Sequence, residues 1–384
     1  MRIQSTQPQL QPKPRAVVSA YIDGKSAQIE AMKLDAVDRF EVVREQSQDQ
    51  ILINIDGLRH SPTKDYLTFA AVGLLPTAGA AALGYSAGGV PGALLGGLGG
   101  LALAGLPSTY FLNRARKAPQ WKAGSRLAVG GESQPSPVTK PGPEKLRSLV
   151  EQSRRENPSA RQILFLSGHG DRNEVAHMPI AEMGQAMQGS RLDATIIDAC
   201  LLGQLEVLTH LAPWAGLVLV SPHKIKARGL ELPKILTSEN LSQPDMEQAA
   251  VKMAAQARST TPSFAVVNTV NFQEEFLPAL DALGQALSKE QDSAVRKVMA
   301  RSLSTDGLLS RRIDMGSFLK ELEKAEIAPS ATRKAREAFA KTVPFQKNQH
   351  SFSFHLKAGR SDQSLPEGWR EFLKKADRSF KPIF

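Results

Sequence analysis

Ile163-Leu164-Phe165-Leu166-Ser167-Gly168-His169-Gly170 and Ala194-Thr195-Ile196-Ile197-Asp198-Ala199-Cys200 share one plan. Each opens as a short, mostly apolar run and closes on small residues that carry one reactive side chain. Apolar runs of this length, without strict alternation, read as strands buried on both faces. Helical patterns lie around them. Leu146, Leu149 and Val150 mark an amphipathic helix that Pro158 keeps from continuing, and Leu201, Leu205, Leu208 and Leu211 form a second stripe. Leu217–Val220 is a further strand, ending at Ser221-Pro222. Nearer the N-terminus, Val17–Ile22 closes at Asp23-Gly24 and Ile51–Ile55 at Asp56-Gly57. Between them Ile29, Met32, Ala36, Val37, Phe40 and Val43 recur at helical spacing. The alternation predicts an α/β fold: a largely parallel sheet flanked by helices. The remainder reads as mostly helical, at about 245–258, 273–288, 314–326 and 331–341, with one late strand, Ser351–Leu356.

Two reactive side chains at the carboxyl ends of two strands open into one crevice if the strands are neighbours. A thiol attacks a carbonyl at neutral pH when a base or a positive field favours its thiolate. His169 is the candidate partner for Cys200. Cys200 also stands at the expected start of the Leu201–Leu211 helix, whose N-terminus would add to that field. The backbone N–H groups of Gly170 and Cys200 are candidate donors to an oxyanion. A lone cysteine is usually a small buried hydrophobe, and a lone His-Gly after a strand is usually a turn. Their joint placement after two apolar strands points to catalysis. The remaining histidines, His60, His177, His210, His223, His350 and His355, have no comparable setting, so surface or core roles are expected of them.

This pattern resembles the caspase-like cysteine peptidases, and within them the clostripain family. Asp198-Ala199-Cys200-Leu201-Leu202-Gly203, followed by Glu206-Val207, is similar to that family's nucleophile region. Val17–Gly24 and the helix after it look like its first strand and helix. Ile313-Asp314-Met315 through Phe318 and Leu319 resembles a late helix, and Ser351–Leu356 with Trp369–Leu373 its closing strand and tail. The likeness covers nearly all of 15–60 and 143–384. It implies a cysteine endopeptidase with a His169–Cys200 dyad, acting on proteins or peptides. It also implies cleavage after Arg or Lys, with Asp198 in the substrate pocket; a carboxylate suits a guanidinium. The sequence departs from the family at Ser221-Pro222-His223-Lys224-Ile225-Lys226-Ala227-Arg228-Gly229, which is basic where the family usually carries acidic residues. No cofactor is expected. Calcium enters by the resemblance alone, and no acidic loop points to a site for it.

Composition narrows the rest. The formal net charge of +10 favours anionic partners. No Lys/Arg block is interleaved with aromatics, so no nucleic-acid partner is expected. The single cysteine excludes an internal disulfide and a cysteine-based metal cluster. Residues 1–14 have no apolar core; a disordered arm is expected there rather than a secretory signal. Residues 15–65 form the first βαβ part of the peptidase domain and 144–384 the remainder.

From Tyr66 to Leu112 no residue is charged, and Leu, Ala and Gly dominate. Small residues recur at every fourth position, from Gly84 through Gly88, Gly92, Gly96, Gly100 and Ala104 to Ser108. Such spacing lets membrane helices pack closely, and one span needs about 20 apolar residues. The expectation is a transmembrane hairpin at 66–112 that meets membrane lipid, with a Pro/Gly-rich linker at 113–143. Arg59, Lys64, Arg114, Arg116 and Lys117 flank it, which places the peptidase domain on the cytoplasmic side. A buried or flexible element in a cytoplasmic protein is the alternative. Two further functional readings stand beside the peptidase: a catalytically silent caspase-like scaffold, and a membrane-perturbing effector whose hairpin the peptidase domain controls.

Overall fold

The computed structural model describes residues 15–24, 40, 42–43, 51–59, 125–127, 133–135, 142–170, 174–225, 229–257, 263–302, 312–346, 350–357 and 362–379. The arm at 1–14, the hydrophobic stretch at 66–112 and most of the linker lie outside the described residues, as does His60. Among the described residues no helix is long and apolar enough to cross a membrane.

Seven strands form the main sheet: β1 (Ala16–Gly24), β2 (Ile51–Arg59), β3 (Arg161–Ser167), β4 (Leu192–Asp198), β5 (Ala215–Val220), β6 (Ala265–Asn268) and β7 (Phe345–Gln346). Their spatial order is β7-β6-β5-β4-β3-β1-β2. The pairs from β2 to β5 are all parallel. β6 runs antiparallel to β5, and β7 antiparallel to β6. The parallel part was expected. β6 corrects the reading of the C-terminal portion as helical up to its late strand. Ala265-Val266-Val267-Asn268 is too short a run to show its period, and helical patterns flank it.

The central strands are apolar throughout because both faces are covered. Along β3 and β4, Leu164, Leu166 and Ile197 point into one layer with Tyr21, Val218 and Val267. The other layer takes Ile163, Phe165, Ala194 and Ile196, with Ala20, Ile22 and Leu219. Each fully buried side chain of this kind contributes roughly 1.5–3 kcal/mol. Helices α1 (Pro143–Glu156), α2 (Ile180–Ala186) and α3 (Leu205–Leu211) cover the first face through Leu146, Val150, Met183, Leu205 and Leu208. Phe40, Val43 and helix α4 (Met246–Gln256) cover the second. Phe40 and Val43 are the last two residues of the stripe expected from Ile29 onward. They pack as that stripe requires, and Phe40 meets Phe165 edge to face at 5.3 Å.

The C-terminal portion is helical, as expected: α5 (Leu277–Leu287), α6 (Asp292–Arg301), α7 (Met315–Lys324), α8 (Pro329–Thr342) and α9 (Glu367–Ser379). A run of aromatic rings ties these helices to the late strand. Phe352 meets Phe272, Phe276 and Phe339, and Phe354 meets Phe318 and Trp369, at centroid separations of 5.2–6.1 Å. The strand Ser353–His355 pairs with Arg312–Asp314. Asp314 then ends that short strand and caps α7. Its carboxylate accepts from Ser317 N–H at 2.8 Å and from both the N–H and the hydroxyl of Ser351, at 2.8 and 3.2 Å.

Burial pushes the Asp314 carboxyl above its ordinary value, against the hydrogen bonds from Ser351 and Ser317 and the attraction of His350. The folded chain therefore holds this proton more tightly than the unfolded chain does. Stability drawn from Asp314 must fall as pH rises from the ordinary aspartate range, about 4, toward the raised value. We predict that Asp314→Asn, which keeps an N-cap acceptor, flattens this fall. Denaturant unfolding of both proteins between pH 4 and 8 checks it. A stability difference independent of pH, or one favouring the native aspartate more as pH rises, contradicts the assignment.

Candidate active site

β3 and β4 pair in parallel from Ile163↔Ala194 to Ser167↔Asp198. His169 and Cys200 each follow two residues beyond the last pair, so the register carries both to the same edge of the sheet. Beyond the strands, Gly168 N–H still donates to the Asp198 carbonyl at 3.4 Å. Gly170 then lies directly on the peptide of Cys200. A Cβ at this position would stand 2.6 Å from the Cys200 carbonyl oxygen, 2.9 Å from Ala199 Cβ and 3.1 Å from Cys200 N. Only a glycine permits this approach. His169 is exposed and Cys200 partly exposed.

A small hairpin braces His169. The strands Glu174–Val175 and Met178–Pro179 fold back so that Ala176 N–H donates to the His169 carbonyl at 2.8 Å. Its two turn residues, Ala176 and His177, both have positive φ, 51° and 58°. Buried Val175, Ala176 and Met178 hold them there. The His177 ring lies 6.4 Å from the His169 ring, and its Nδ1 is 3.6 Å from Glu174 Oε1. This hairpin carries no sequence signal, because Ala-His replaces the Asn-Gly that usually marks such a turn.

Cys200 does not begin a helix. Leu201 takes φ 63°, the chain turns through Leu202 and Gly203, and α3 starts only at Leu205. The helix-terminus contribution expected at the thiol is corrected accordingly; such an effect fades within the first turn. The turn is instead lashed to the segment after β5. Leu201 N–H donates to the His223 carbonyl at 3.1 Å and Gly203 N–H to the Ser221 carbonyl at 2.8 Å. The Cys200 thiol donates to the Ile225 carbonyl at 3.8 Å.

Asp198 is buried at the carboxyl end of β4. Its Oδ2 accepts from the Ser167 hydroxyl at 3.0 Å and its Oδ1 from Leu230 N–H at 3.1 Å. Gly229, at φ 70°, backs onto this carboxylate so closely that a Cβ there would collide with it. Asp198 thus anchors the far end of the basic segment, whose residues 226–228 lie outside the described set. Among the described residues no group of His, Cys, Asp and Glu is arranged to hold a metal ion.

The Clostripain family model matches residues 153–357, more than half of the chain. No curated protein sequence matches it. Among solved structures, an inactive zymogen C11 protease from Parabacteroides distasonis aligns over 93% of this chain and 95% of its own, at 13% identity and a TM-score of 0.56. A secreted C11 cysteine protease from Bacteroides thetaiotaomicron, in complex with an irreversible peptide inhibitor, aligns over 96% and 99%, at 12% identity and a TM-score of 0.55. These two share its fold, and the family match spans both strands that end at His169 and Cys200. The chain belongs to the clostripain family of cysteine peptidases.

Proposed function

We infer that the chain hydrolyses peptide bonds through a Cys200–His169 dyad. The contact of Gly170 with the Cys200 peptide carries this reading, since it brings the two strand ends to one point. Cys200 gives its proton to His169 as Sγ attacks the scissile carbonyl carbon, and the amides of Gly170 and Cys200 donate to the resulting oxyanion. His169 passes a proton to the departing amine as the C–N bond breaks. Water then attacks the thioester; the product leaves as a carboxylic acid and the thiol is restored. The silent-scaffold alternative gives no role to an exposed histidine braced beside a partly exposed thiol.

Asp198 supplies the negative charge of the substrate pocket, and the bond cleaved follows Arg or Lys. A basic side chain reaches that carboxylate once Gly229 and Leu230 yield it. Labelling by peptide acyloxymethyl ketones ending in Arg, Lys, Asp or Leu tests activity and specificity together. The Arg and Lys probes are expected to label the wild type fastest, His169→Ala at least 100-fold more slowly, and Cys200→Ala not at all. Asp198→Asn slows the basic probes more than the Leu probe. Fastest labelling by the Asp probe reverses the specificity, and hydrolysis by Cys200→Ala ends the dyad.

Residues 66–112 tether the peptidase to a membrane as a hairpin, with the domain on the cytoplasmic side. β2 before this stretch and β3 after it belong to one sheet, which demands an even number of crossings. The full-length chain is expected to sediment with membranes and resist salt extraction, whereas a chain lacking 66–112 stays in the supernatant. Full-length protein in the supernatant without detergent excludes the tether.

A further inference from the structure

The turn after Cys200 is held from a distant part of the chain. Leu201 occupies left-handed space, which costs a non-glycine residue on the order of 1–3 kcal/mol and persists only where its surroundings enforce it. Its N–H is fixed by the His223 carbonyl. The His223 ring in turn meets the His350 ring at 4.6 Å and 89°, edge to face. His350 Nδ1 is buried and has no hydrogen-bond partner among the described residues, so no bond at that atom orients the ring. Its position follows from the backbone: Ser351, the next residue, is clamped twice by the buried Asp314 carboxylate. The same segment reaches the nucleophile turn again, through Ser353 N–H to the Gly203 carbonyl at 2.8 Å and His355 N–H to Glu206 Oε1 at 2.8 Å.

We propose that His350 is a positioning residue for the nucleophile: its ring, packed on His223, fixes the carbonyl that holds Leu201 and so sets the presentation of Cys200. The inference rests on the peptidase reading for its consequence in turnover. The contact is one of shape, since edge-to-face rings attract without needing a charge. Glu206 and Ser353 brace the same turn on its other side, so loss of His350 loosens the turn without releasing it.

The test combines single and paired substitutions with two readouts. One is turnover of a peptidyl-aminomethylcoumarin bearing the residue preferred by the acyloxymethyl ketone panel. The other is the rate at which iodoacetamide alkylates the sole cysteine, Cys200, which needs no peptidase activity. His350→Ala is expected to lower kcat on the order of tenfold with KM within about twofold, and to change the alkylation rate. His350→Phe, which keeps an aromatic ring there, restores both. In a His223→Ala background the His350→Ala change adds no further loss, because the first residue acts through the second. Should His350→Ala fail to fold, His350→Leu replaces it, keeping bulk without a ring. Unchanged kcat and alkylation, additive losses with His223→Ala, or a His350→Phe protein as slow as His350→Ala overturns the proposal. A wild type that turns over no peptide sinks the peptidase reading, while the alkylation rates still decide the role of His350.

Discussion

The pairing of β3 with β4 in the register Ser167↔Asp198 is the constraint on which the site depends. Side chains alternate along a strand, so a slip of one residue would turn each strand's core residues to the wrong layer. Leu164, Leu166 and Ile197 on one face, and Phe165 and Ile196 on the other, make any such slip costly. Two adjacent strands lie about 4.8 Å apart. Equal overhangs of two residues therefore carry His169 and Cys200 to the same edge of the sheet, where Gly170 abuts the Cys200 peptide. The hydrophobic core thus fixes the register that carries an exposed histidine and a partly exposed cysteine to one edge of the sheet.

The overhangs are short and need holding from outside the sheet. On the histidine side, the hairpin 174–179 grips the His169 carbonyl and is itself pinned by buried Val175 and Met178. On the cysteine side, Ser221–His223 and the strand Ser353–His355 run along the turn 201–206. The aromatic rings of Phe352 and Phe354 anchor that strand among the C-terminal helices. The C-terminal portion is therefore more than a flank of the sheet. It supplies the outer wall of the 201–206 turn, and Asp314, buried at the base of that wall, holds Ser351 in place.

Much of this was legible in the sequence. Apolar runs buried on both faces mark parallel strands plainly, and the motifs following them pointed to the clostripain family. The misses have physical causes. β6 is four residues long, too brief for a period to emerge. The helix after Cys200 begins later than its leucine stripe suggests, because Leu201 turns the chain at positive φ, a conformation no residue type announces reliably. His223 and His350 lie far apart in sequence and meet only through tertiary packing, so each looked ordinary alone. Asp198 was read as a pocket carboxylate. Its engagement by Ser167 and Leu230 depends on a loop return that no local pattern encodes.

The most direct measurement is the turnover of Gly170→Ala by a protein shown to be folded. Gly170 does not adopt positive φ, so alanine meets no backbone strain there. Its methyl group would meet the Cys200 peptide, at 2.6 Å from the carbonyl oxygen, and the Ala199 Cβ at 2.9 Å. If the abutting strand ends create the site, kcat of the folded variant falls on the order of 100-fold, since a displacement of about 1 Å suffices for such a loss. Turnover within twofold of the wild type would contradict the account.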